Sequence, residues 1–459
     1  MAGIGFALRQ LAQKDNLTSS LRSYAHAAAV SVGPWLFTVI ALGAVDVFGR
    51  GILSRDEAMR FSAIIIYSFS FSLVLSGPIV LVLTRHLSNH LYAKKASEVP
   101  SILVGGLVLM WSVQAVVGIP FVILATDLSL SEQAISLAVY FVVGAIWLVS
   151  IYLTALKSFE TISLAFGFGM VVAFALATCL TGPLGVTGTL AGFAIGLGAI
   201  LYILLARIAA EYPYGVTNPF GFLGCFKSYW ELALAGLLYN AAIWVDKWIM
   251  WLSPGGRVVA SGFISHPSYD AAMFLAYLTI VPAMAIFVVA IETRFFESYL
   301  RFYRGIQAHG TLQEIKRDHD AILCSLKDGF KTIAVIQSII CYLALLVAPG
   351  LIGMAKGGLE LVPVFRFGVL GALFHVMLLF VIVVVSYFDL RRVLLSITAV
   401  FFIANAGFTW LFVPFGPAYA GYGYFLASLL TFGFAYFSSV RCIKRLPYMT
   451  FIGNNGGLR

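Results

Sequence analysis

The sequence predicts an all-α membrane protein of about twelve transmembrane helices with both termini in the cytoplasm. Of its 459 residues, 61% are hydrophobic and only 11% are charged, whereas a soluble domain carries about 25% charged residues. The apolar residues also fall in runs of about 20, the length that crosses a bilayer. Lys and Arg concentrate in alternate loops between these runs. These three observations exclude a soluble domain and predict a topology.

Twelve apolar runs define the predicted spans. The turn at Gly182 and Pro183, between the fifth and sixth runs, is so short that these two spans are expected to form an antiparallel hairpin. The spans cover residues 24–48, 61–83, 101–125, 134–156, 161–181, 186–206, 231–252, 271–291, 332–349, 366–388, 393–413 and 420–440.

The placement of Lys and Arg orients the spans. With the N-terminus inside, 22 of the 29 basic residues lie in cytoplasmic segments and six lie outside, as the positive-inside rule expects. The remaining one, Lys247, lies within a span. This topology accounts for the net charge of +9, so no nucleic-acid partner is inferred.

The segments between the spans divide the chain into predicted domains. Residues 24–206 form a first six-helix lobe and residues 231–440 a second, with a cytoplasmic linker at 207–230 between them. Cytoplasmic segments also flank the lobes, namely an amphipathic N-terminal segment at 1–23, for which an irregular tail is the alternative, and a C-terminal tail at 441–459.

One long segment interrupts the second lobe. Residues 292–331 carry seven basic and six acidic residues, with aromatic side chains placed among the arginines. This pattern favours an amphipathic helical extension along the cytoplasmic membrane surface. A solvated charged hairpin is the alternative.

An internal repeat is a further expectation. The stretch Thr84–Ser88 follows the second span and Thr293–Glu297 follows the eighth, at an offset of 209 residues. Arg85 and Arg294 are then equivalent. Parallel repeats of this kind are related by an axis along the membrane normal, with the substrate site between them. Because few residues match, chance similarity is the alternative.

Polar residues within the spans are the candidates for function. In the seventh span Asn240, Trp244 and Lys247 share one helix face, together with Trp251, and Trp248 lies nearby. Aromatic rings beside amide and charged groups suit a sugar, whose C–H faces stack on rings and whose hydroxyls form hydrogen bonds. Asp246 points about 100° away from that face, where another helix can supply its partner.

An anchoring role is the alternative for this span. Asp246 lies about 9 Å from the outer helix end by the helical rise. From that depth Lys247 can extend to the outer surface, and the tryptophans can form an interfacial belt. A pathway role is favoured because burying Asp without a partner costs roughly 2–3 kcal/mol.

Four further positions are weaker candidates. His375 lies in the middle of the tenth span and Asn405 in the middle of the eleventh, and both are also typical of packed, hydrogen-bonded interior residues. The pairs Gly33-Pro34 and Gly77-Pro78 interrupt the first and second spans and are expected to bend them. Broken helices can line a cavity, or the pairs can serve helix packing alone.

Signatures of enzymes and cofactors are scarce. There is no Walker A, HExxH or GxSxG motif. Asp318-His319-Asp320 resembles a glycosyltransferase DxD motif, but its segment is far shorter than a typical domain. The five cysteines form no CxxC pair and have no histidine at metal-ligand spacing. The sequence therefore predicts no catalytic residue, no metal site and no cofactor.

Several stretches resemble a known transporter family. They are Gly3–Phe6 with Arg9, Ser31–Trp35, Trp244–Trp248 and Glu292–Glu297. Together they resemble the Pel exopolysaccharide transporter (PelG) family, and the likeness extends over nearly the whole chain, to about residue 450.

The resemblance carries several expectations. It implies the polysaccharide transporter branch of the multidrug, oligosaccharidyl-lipid and polysaccharide flippase group, with two six-helix lobes around a central cavity. It implies the N-acetylgalactosamine-rich polymer Pel, a biofilm exopolysaccharide, as cargo. The implied partners are a cytoplasmic glycosyltransferase and two membrane subunits, one of them a cyclic di-GMP receptor. No site residue is carried over from the family.

The favoured function is therefore movement of a newly made polysaccharide across the bacterial inner membrane. A lipid-linked oligosaccharide flippase is the first alternative, in which Arg85 and Arg294 would serve a pyrophosphate-binding patch. An ion-coupled multidrug antiporter is the second, and it would need a carboxylate deep in the membrane. Asp46, Asp246 and Asp270 all lie nearer the outer face. A non-transporting scaffold for a synthase is the third.

Overall fold

Helices make up nearly all of the structure, which is a computed structural model. It describes residues 33–49, 51–156, 158–260, 262–291, 295–354, 358–448 and 450–451. The predicted amphipathic segment 1–23, Arg294 and, within the tail 441–459, residues 449 and 452–459 lie outside the described residues.

The described residues form two compact units, 33–270 and 271–451. The first unit contains helices α1 to α7, two strands and the start of α8. Its elements are α1 (Gly33–Gly49), α2 (Arg55–Tyr92), a 3₁₀ turn (Ala96–Glu98), α3 (Val99–Ala125), α4 (Leu130–Ala155), α5 (Phe159–Glu211), α6 (Gly224–Ser228), α7 (Trp230–Trp251), β1 (Arg257–Ala260) and β2 (Phe263–Ser265).

Capping boxes begin two of the long helices in this unit. Ser54 accepts a hydrogen bond from the Glu57 backbone N–H at the start of α2, and Glu57 caps back. Ser129 and Glu132 repeat this arrangement at the start of α4. Each box satisfies two backbone donors that a helix start leaves open. Arg60 then joins the two helix ends through a 3.1 Å ion pair with Glu132.

The predicted hairpin of the fifth and sixth spans is confirmed. α5 reverses at Gly185, whose φ of 59° lies in the left-handed region that glycine adopts without strain. The arms meet through a 2.8 Å hydrogen bond between the hydroxyls of Thr181 and Thr189. A methyl group on Gly192 would come within 2.2 Å of the Ala177 backbone nitrogen, so the arms pack at backbone distance.

Helices α2 and α7 also pack at backbone distance. A methyl group on Gly77 would lie 2.5 Å from the Gly236 carbonyl oxygen, and one on Gly236 would lie 2.4 Å from the Gly77 carbonyl oxygen. Helix α2 continues through Gly77 and Pro78, and the bend expected at this pair stays a prediction. The glycine contacts fit the packing alternative. Pro78 supplies no N–H to the carbonyl of Val74, and the Asn240 amide donates to the neighbouring Leu73 carbonyl at 2.8 Å.

The first span is described only from Gly33 onward. Gly33 and Pro34 are the first described residues of α1. The segment before them lies outside the described residues, so a break of the first span at this pair stays a prediction.

The second unit contains the rest of α8 and the helices that follow it. Its elements are α8 (Pro267–Leu278), which begins in the first unit, α9 (Val281–Ala290), α10 (Phe296–Gln307), α11 (Leu312–Met354), a 3₁₀ turn (Leu359–Leu361), α12 (Val362–Tyr387), α13 (Arg391–Phe412), 3₁₀ turns at Val413–Phe415 and Pro417–Tyr419, α14 (Tyr422–Lys444) and α15 (Leu446–Tyr448). The predicted eighth span is thus divided between α8 and α9, where Pro282 stands in the first turn of α9.

The charged segment of this unit is an ordered helical hairpin. α10 places Phe302 fully inside, and Phe295 and Tyr299 pack on Tyr387 at the end of α12. The imidazole of His319 on α11 lies 2.9 Å from the backbone carbonyl of Ile443 on α14. One face of the hairpin is therefore packed on its own unit and the other carries the exposed charges.

Nine helices in the described part of the chain are long and apolar enough to cross a membrane. One of them is the reversed helix α5, which corresponds to two predicted spans, and α1 and α7 correspond to two more. The count of twelve spans stays a prediction, as do the internal repeat, the lobe boundaries 24–206 and 231–440, and the orientation of the termini. Helix α7, placed by sequence in the second lobe, lies in the first compact unit.

Candidate functional site

An ion pair is buried within α7. Asp246 has no exposed surface, and the Lys247 ammonium lies 3.1 Å from both of its carboxylate oxygens. Lys247 is itself 8% exposed. Its ammonium also donates to the Ile243 carbonyl at 3.0 Å and lies 5.7 Å from the centre of the Trp244 ring. Two adjacent residues thus neutralise each other inside an apolar helix, which spares each an unpaired charge.

Tyr269, at the start of α8, completes the coordination of the carboxylate. Its hydroxyl donates to Asp246 Oδ2 at 2.9 Å, and its side chain is 1% exposed. The sequence pattern had directed Asp246 toward a partner on another helix, and this tyrosine occupies that place. A hydrogen bond to a charged group contributes about 1.5–3 kcal/mol.

A second carboxylate lies one residue farther along α8. The Trp251 indole N–H donates to Asp270 at 3.0 and 3.2 Å, and the His266 backbone N–H donates to it at 3.3 Å. His266 Nδ1 accepts from the Tyr269 backbone N–H at 3.2 Å. Burial, followed by the charge of Arg257, lowers the pKa of His266, so the neutral ring that accepts this bond is favoured.

Aromatic rings from α2 stack on the tryptophans of α7. Tyr67 lies 4.9 Å from Trp251 with the ring planes 13° apart, and Phe71 lies 5.4 Å from Trp248 at 12°. The Tyr67 hydroxyl both donates to the Ile264 carbonyl at 2.8 Å and accepts from the Ile264 N–H at 3.0 Å. The β1–β2 hairpin is thereby joined to α2, and the ring stack is held in place.

The remaining predicted residues of α7 divide by role. The Asn240 amide donates a hydrogen bond to the Leu73 carbonyl on α2, so this side chain serves the packing of α7 on α2. The indole nitrogens of Trp244 and Trp248 are buried and have no hydrogen-bond partner among the described residues. Indole donors and aromatic rings can contact a neutral hydroxylated ligand, and a pathway role for these residues stays a prediction.

His375 and Asn405 lie in the second unit and make contacts there. Within the second unit His375 Nδ1 lies 2.7 Å from the Tyr424 hydroxyl, and its ring packs on Phe401. Asn405 is fully buried, and its side-chain oxygen accepts from Thr409 at 3.4 Å. These contacts fit the interior-packing alternative for both residues.

The other residues singled out by sequence have no described contact with the α7 site. Arg85 is partly buried in the last third of α2, and its predicted equivalent, Arg294, lies outside the described residues. Asp318 is buried and Asp320 is exposed, so the two carboxylates do not share one site. Among the described residues no group of three His, Cys, Asp or Glu side chains is arranged to hold a metal ion.

Sequence reasoning missed Tyr67 and Tyr269. Tyr67 lies in an apolar run, and a single tyrosine there carries no periodic signal. Tyr269 directly precedes Asp270 at the start of a span, a position typical of an interfacial aromatic. Packing of α2 on α7 brings Tyr67 beside Trp251, and the return of the chain through β1 and β2 brings Tyr269 beside Asp246.

The chain is similar to known proteins both in sequence and in fold. Residues 1–451 match the family model of PelG, described as "Putative exopolysaccharide Exporter (EPS-E)". No curated protein matches the sequence.

Solved transporter structures resemble this fold. A MOP superfamily transporter from Pyrococcus furiosus is 12% identical over 92% of this chain and 96% of that chain, with a TM-score of 0.63. A variant of the Vibrio cholerae MATE transporter VcmN is 13% identical over 97% and 98%, at 0.64. A multidrug resistance MATE transporter in its outward-facing conformation is 12% identical over 97% and 99%, at 0.63. At such identities the likeness shows the fold alone, and it confirms the predicted all-α membrane transporter fold.

Proposed function

The chain belongs to the PelG family of exopolysaccharide exporters, and on that premise we propose that it moves a newly made polysaccharide through the bacterial inner membrane. The observation that carries the proposal is the match over residues 1–451, which spans both compact units. The MOP and MATE fold supports a transporter rather than a catalyst.

The proposed cargo is the amino-sugar polymer Pel, made by a cytoplasmic glycosyltransferase. The chain would act as the transport subunit of a synthase complex that also contains a membrane-bound cyclic di-GMP receptor. The charged outer face of the α10–α11 hairpin supplies a polar surface for these partners. Arg301, Arg304, Lys316 and Arg317 are exposed on it, and Glu314 lies among them.

The α7 site supports passage of a sugar chain. Sugars combine C–H faces, which stack on aromatic rings, with hydroxyls that need hydrogen-bond partners. Trp244 and Trp248 provide rings with unpaired buried indole donors, and the Asp246–Lys247 pair provides charges that hydroxyls can bridge. Because the pair is neutral overall, it does not favour an anionic or a cationic cargo.

The proposal is tested by neutralising the pair. Asp246→Asn and Lys247→Met are expected to reduce severalfold the polymer secreted per unit of membrane-inserted protein, with insertion itself intact. The matched controls are Asp127→Asn and Lys227→Met, which make the same changes at exposed positions outside α7 and outside the α10–α11 hairpin. Secretion is measured with a lectin specific for N-acetylgalactosamine. Wild-type secretion by both α7 variants would contradict a pathway role and favour the anchoring role for the pair.

The fold of the solved neighbours favours one second candidate, a multidrug antiporter. Its test is the drug susceptibility of cells that lack the chain, since an antiporter's loss sensitises cells to several cationic drugs.

Solvent extraction of cells that lack the chain distinguishes a lipid-linked oligosaccharide flippase from a polymer transporter. Loss of a flippase leaves oligosaccharide in the lipid extract, whereas loss of a polymer transporter leaves it in the aqueous phase.

A further inference from the structure

The linker between α5 and α7 is rich in aromatic residues. It covers residues 212–230, here called the strap, and connects the end of α5 to the first residue of α7. Seven of its nineteen residues are aromatic and one is charged, whereas a solvated loop consists mainly of polar residues. Aromatic side chains are enriched instead where a protein crosses the boundary between membrane and water.

One side of the strap is fixed to α2 and α3. The Thr217 backbone N–H donates to the Ser101 hydroxyl on α3 at 2.9 Å. The Asn89 amide on α2 donates to the Tyr229 hydroxyl at 3.0 Å. Between these two contacts the ring of Phe222 is 1% exposed. The strap is therefore an ordered part of the first unit and not a loose connection.

Several backbone donors of the strap are satisfied within the strap itself. The Leu223 N–H donates to the Phe220 carbonyl at 3.1 Å, and the Tyr229 N–H donates to the Cys225 carbonyl at 2.8 Å. Pro219 has no N–H to satisfy. A segment outside the long helices can lie against lipid only where its backbone polar groups have partners, and this part of the strap meets that condition.

The level of the strap follows from the spans that it touches. His86, in contact with the strap, lies three residues beyond the predicted span 61–83, or about 4.5 Å by the helical rise. The carbonyl of Pro219 lies against Gly105, where a methyl group would overlap it. Gly105 is four residues, or about 6 Å, inside the predicted span 101–125. The strap thus lies at the hydrocarbon boundary, where the headgroup layer adds about 5–8 Å on each side.

The other side of the strap is apolar and exposed. Five of its large side chains are 44–53% exposed, a fraction that leaves about half of each ring or aliphatic chain without a contact among the described residues. Exposed apolar patches of this kind mark interaction sites. The five side chains are Tyr214, Val216, Phe220, Leu223 and Trp230.

We propose that the strap is an interfacial membrane element, whose exposed apolar side inserts among the headgroups and upper acyl chains of the bilayer. Interfacial elements bury their apolar side about 5–10 Å into this layer, which is the level that the contacts with α2 and α3 give. A soluble partner would meet the chain above the headgroups and not at this depth. The proposal rests on the apolar side chains alone and is independent of the polysaccharide cargo.

The test measures contact between Trp230 and lipid in the full chain, reconstituted in nanodiscs that leave both faces open to water. Three quenchers of tryptophan fluorescence are compared, namely lipid brominated near the headgroup, lipid brominated near the terminal methyl group, and aqueous iodide. The contribution of Trp230 is the difference between the wild type and Trp230→Phe. Trp111, which is 39% exposed in the middle of the predicted span 101–125, is the matched control through Trp111→Phe.

We expect the Trp230 contribution to be lost with bromine near the headgroup and kept with iodide. The Trp111 contribution should be lost most with bromine near the methyl group. Quenching of wild-type Trp230 by iodide, as for a solvated linker or a free protein-docking surface, would overturn the proposal. Protection of Trp230 from all three quenchers, as for cover by another segment of the chain, would overturn it as well.

A charged substitution tests the apolar side directly. Leu223→Asp places a carboxylate in the proposed layer and should make Trp230 accessible to iodide. Leu312→Asp, at an exposed position of the second unit, is the control and should leave Trp230 protected. Equal protection of Trp230 in both variants would contradict the insertion. Should Leu223→Asp fail to fold, the comparison of the three quenchers on the wild type decides alone.

Discussion

Removal of one member of the buried ion pair in α7 should destabilise the protein by an amount that depends on which member is removed. Lys247→Met leaves Asp246 with no exposed surface and with the Tyr269 hydroxyl as its remaining hydrogen-bond donor. Breaking a buried pair in this way costs about 3–5 kcal/mol. The larger part of that range is expected here, because a carboxylate without water or a cation stays uncompensated.

Asp246→Asn should be milder. The Lys247 ammonium keeps the Ile243 carbonyl at 3.0 Å and the Trp244 ring at 5.7 Å, and its side chain is 11% exposed. The asparagine can still accept from Tyr269. We expect a loss near the lower end of the range, about 3 kcal/mol or less.

The double variant Asp246→Asn with Lys247→Met decides between the ion pair and simple packing. With both charges removed, no uncompensated charge stays buried, so the double variant should be more stable than Lys247→Met alone. The assay is thermal unfolding of the detergent-purified chain, ranked by midpoint across the four proteins. Additive losses, with the double variant the least stable, would refute the reasoning.

Three further results are expected. Gly236→Ala should lower the yield of folded protein sharply, because the added methyl group would lie 2.4 Å from the Gly77 carbonyl oxygen. Gly43→Ala is the control and should not lower the yield, since nothing lies within 4 Å of its added methyl group. Equal yields of the two variants would contradict the close α2–α7 contact. His319→Ala removes the contact with the Ile443 carbonyl and should lower the free energy of unfolding by about 1 kcal/mol. Trypsin should then cleave the α10–α11 hairpin faster. Unchanged cleavage would contradict the packing of this hairpin on α14. A cysteine placed at Gly310 should resist an impermeant external reagent in intact spheroplasts, and labelling would refute the cytoplasmic location.

The sequence predicts the helices of this protein better than their contacts. Hydrophobic length alone identifies the spans, because a bilayer demands about 20 apolar residues whatever the neighbouring helices do. The hairpin at Gly182 and Pro183 is predictable for a local reason, since so short a turn leaves no other geometry. The α5 reversal occurs at Gly185, the residue that accepts a positive φ.

The surroundings of Gly77 and Pro78 cannot be predicted from the local sequence. A glycine next to a proline weakens an isolated helix, but α7 lies against this point. Asn240 bonds the Leu73 carbonyl there, and Gly236 allows the backbones to touch. The contact joins residues more than 150 positions apart, so no periodicity within α2 reveals it.

The charged residues of the candidate site could be predicted from the sequence, but the side chains that contact them could not. Asp246 and Lys247 are conspicuous in an apolar span, and Trp244 and Trp248 follow the helical period. The Tyr269 hydroxyl and the Trp251–Asp270 bond depend on the return of the chain through β1 and β2. The Tyr67 stack depends on the packing of α2 against α7. His375 was a candidate by its polarity alone, and its contact with Tyr424 places it among packed residues.

The central claim is that the chain carries a polysaccharide across the membrane, and the location of the polymer in a deletion strain tests it most directly. Cells that lack the chain but keep the glycosyltransferase are converted to spheroplasts, and the amino-sugar polymer is measured in the medium and in the aqueous lysate. We expect the medium to lose the polymer and the lysate to retain polymer or its precursors, with wild-type complementation restoring secretion and Lys247→Met failing to do so. Undiminished polymer in the medium of the deletion strain would contradict the account.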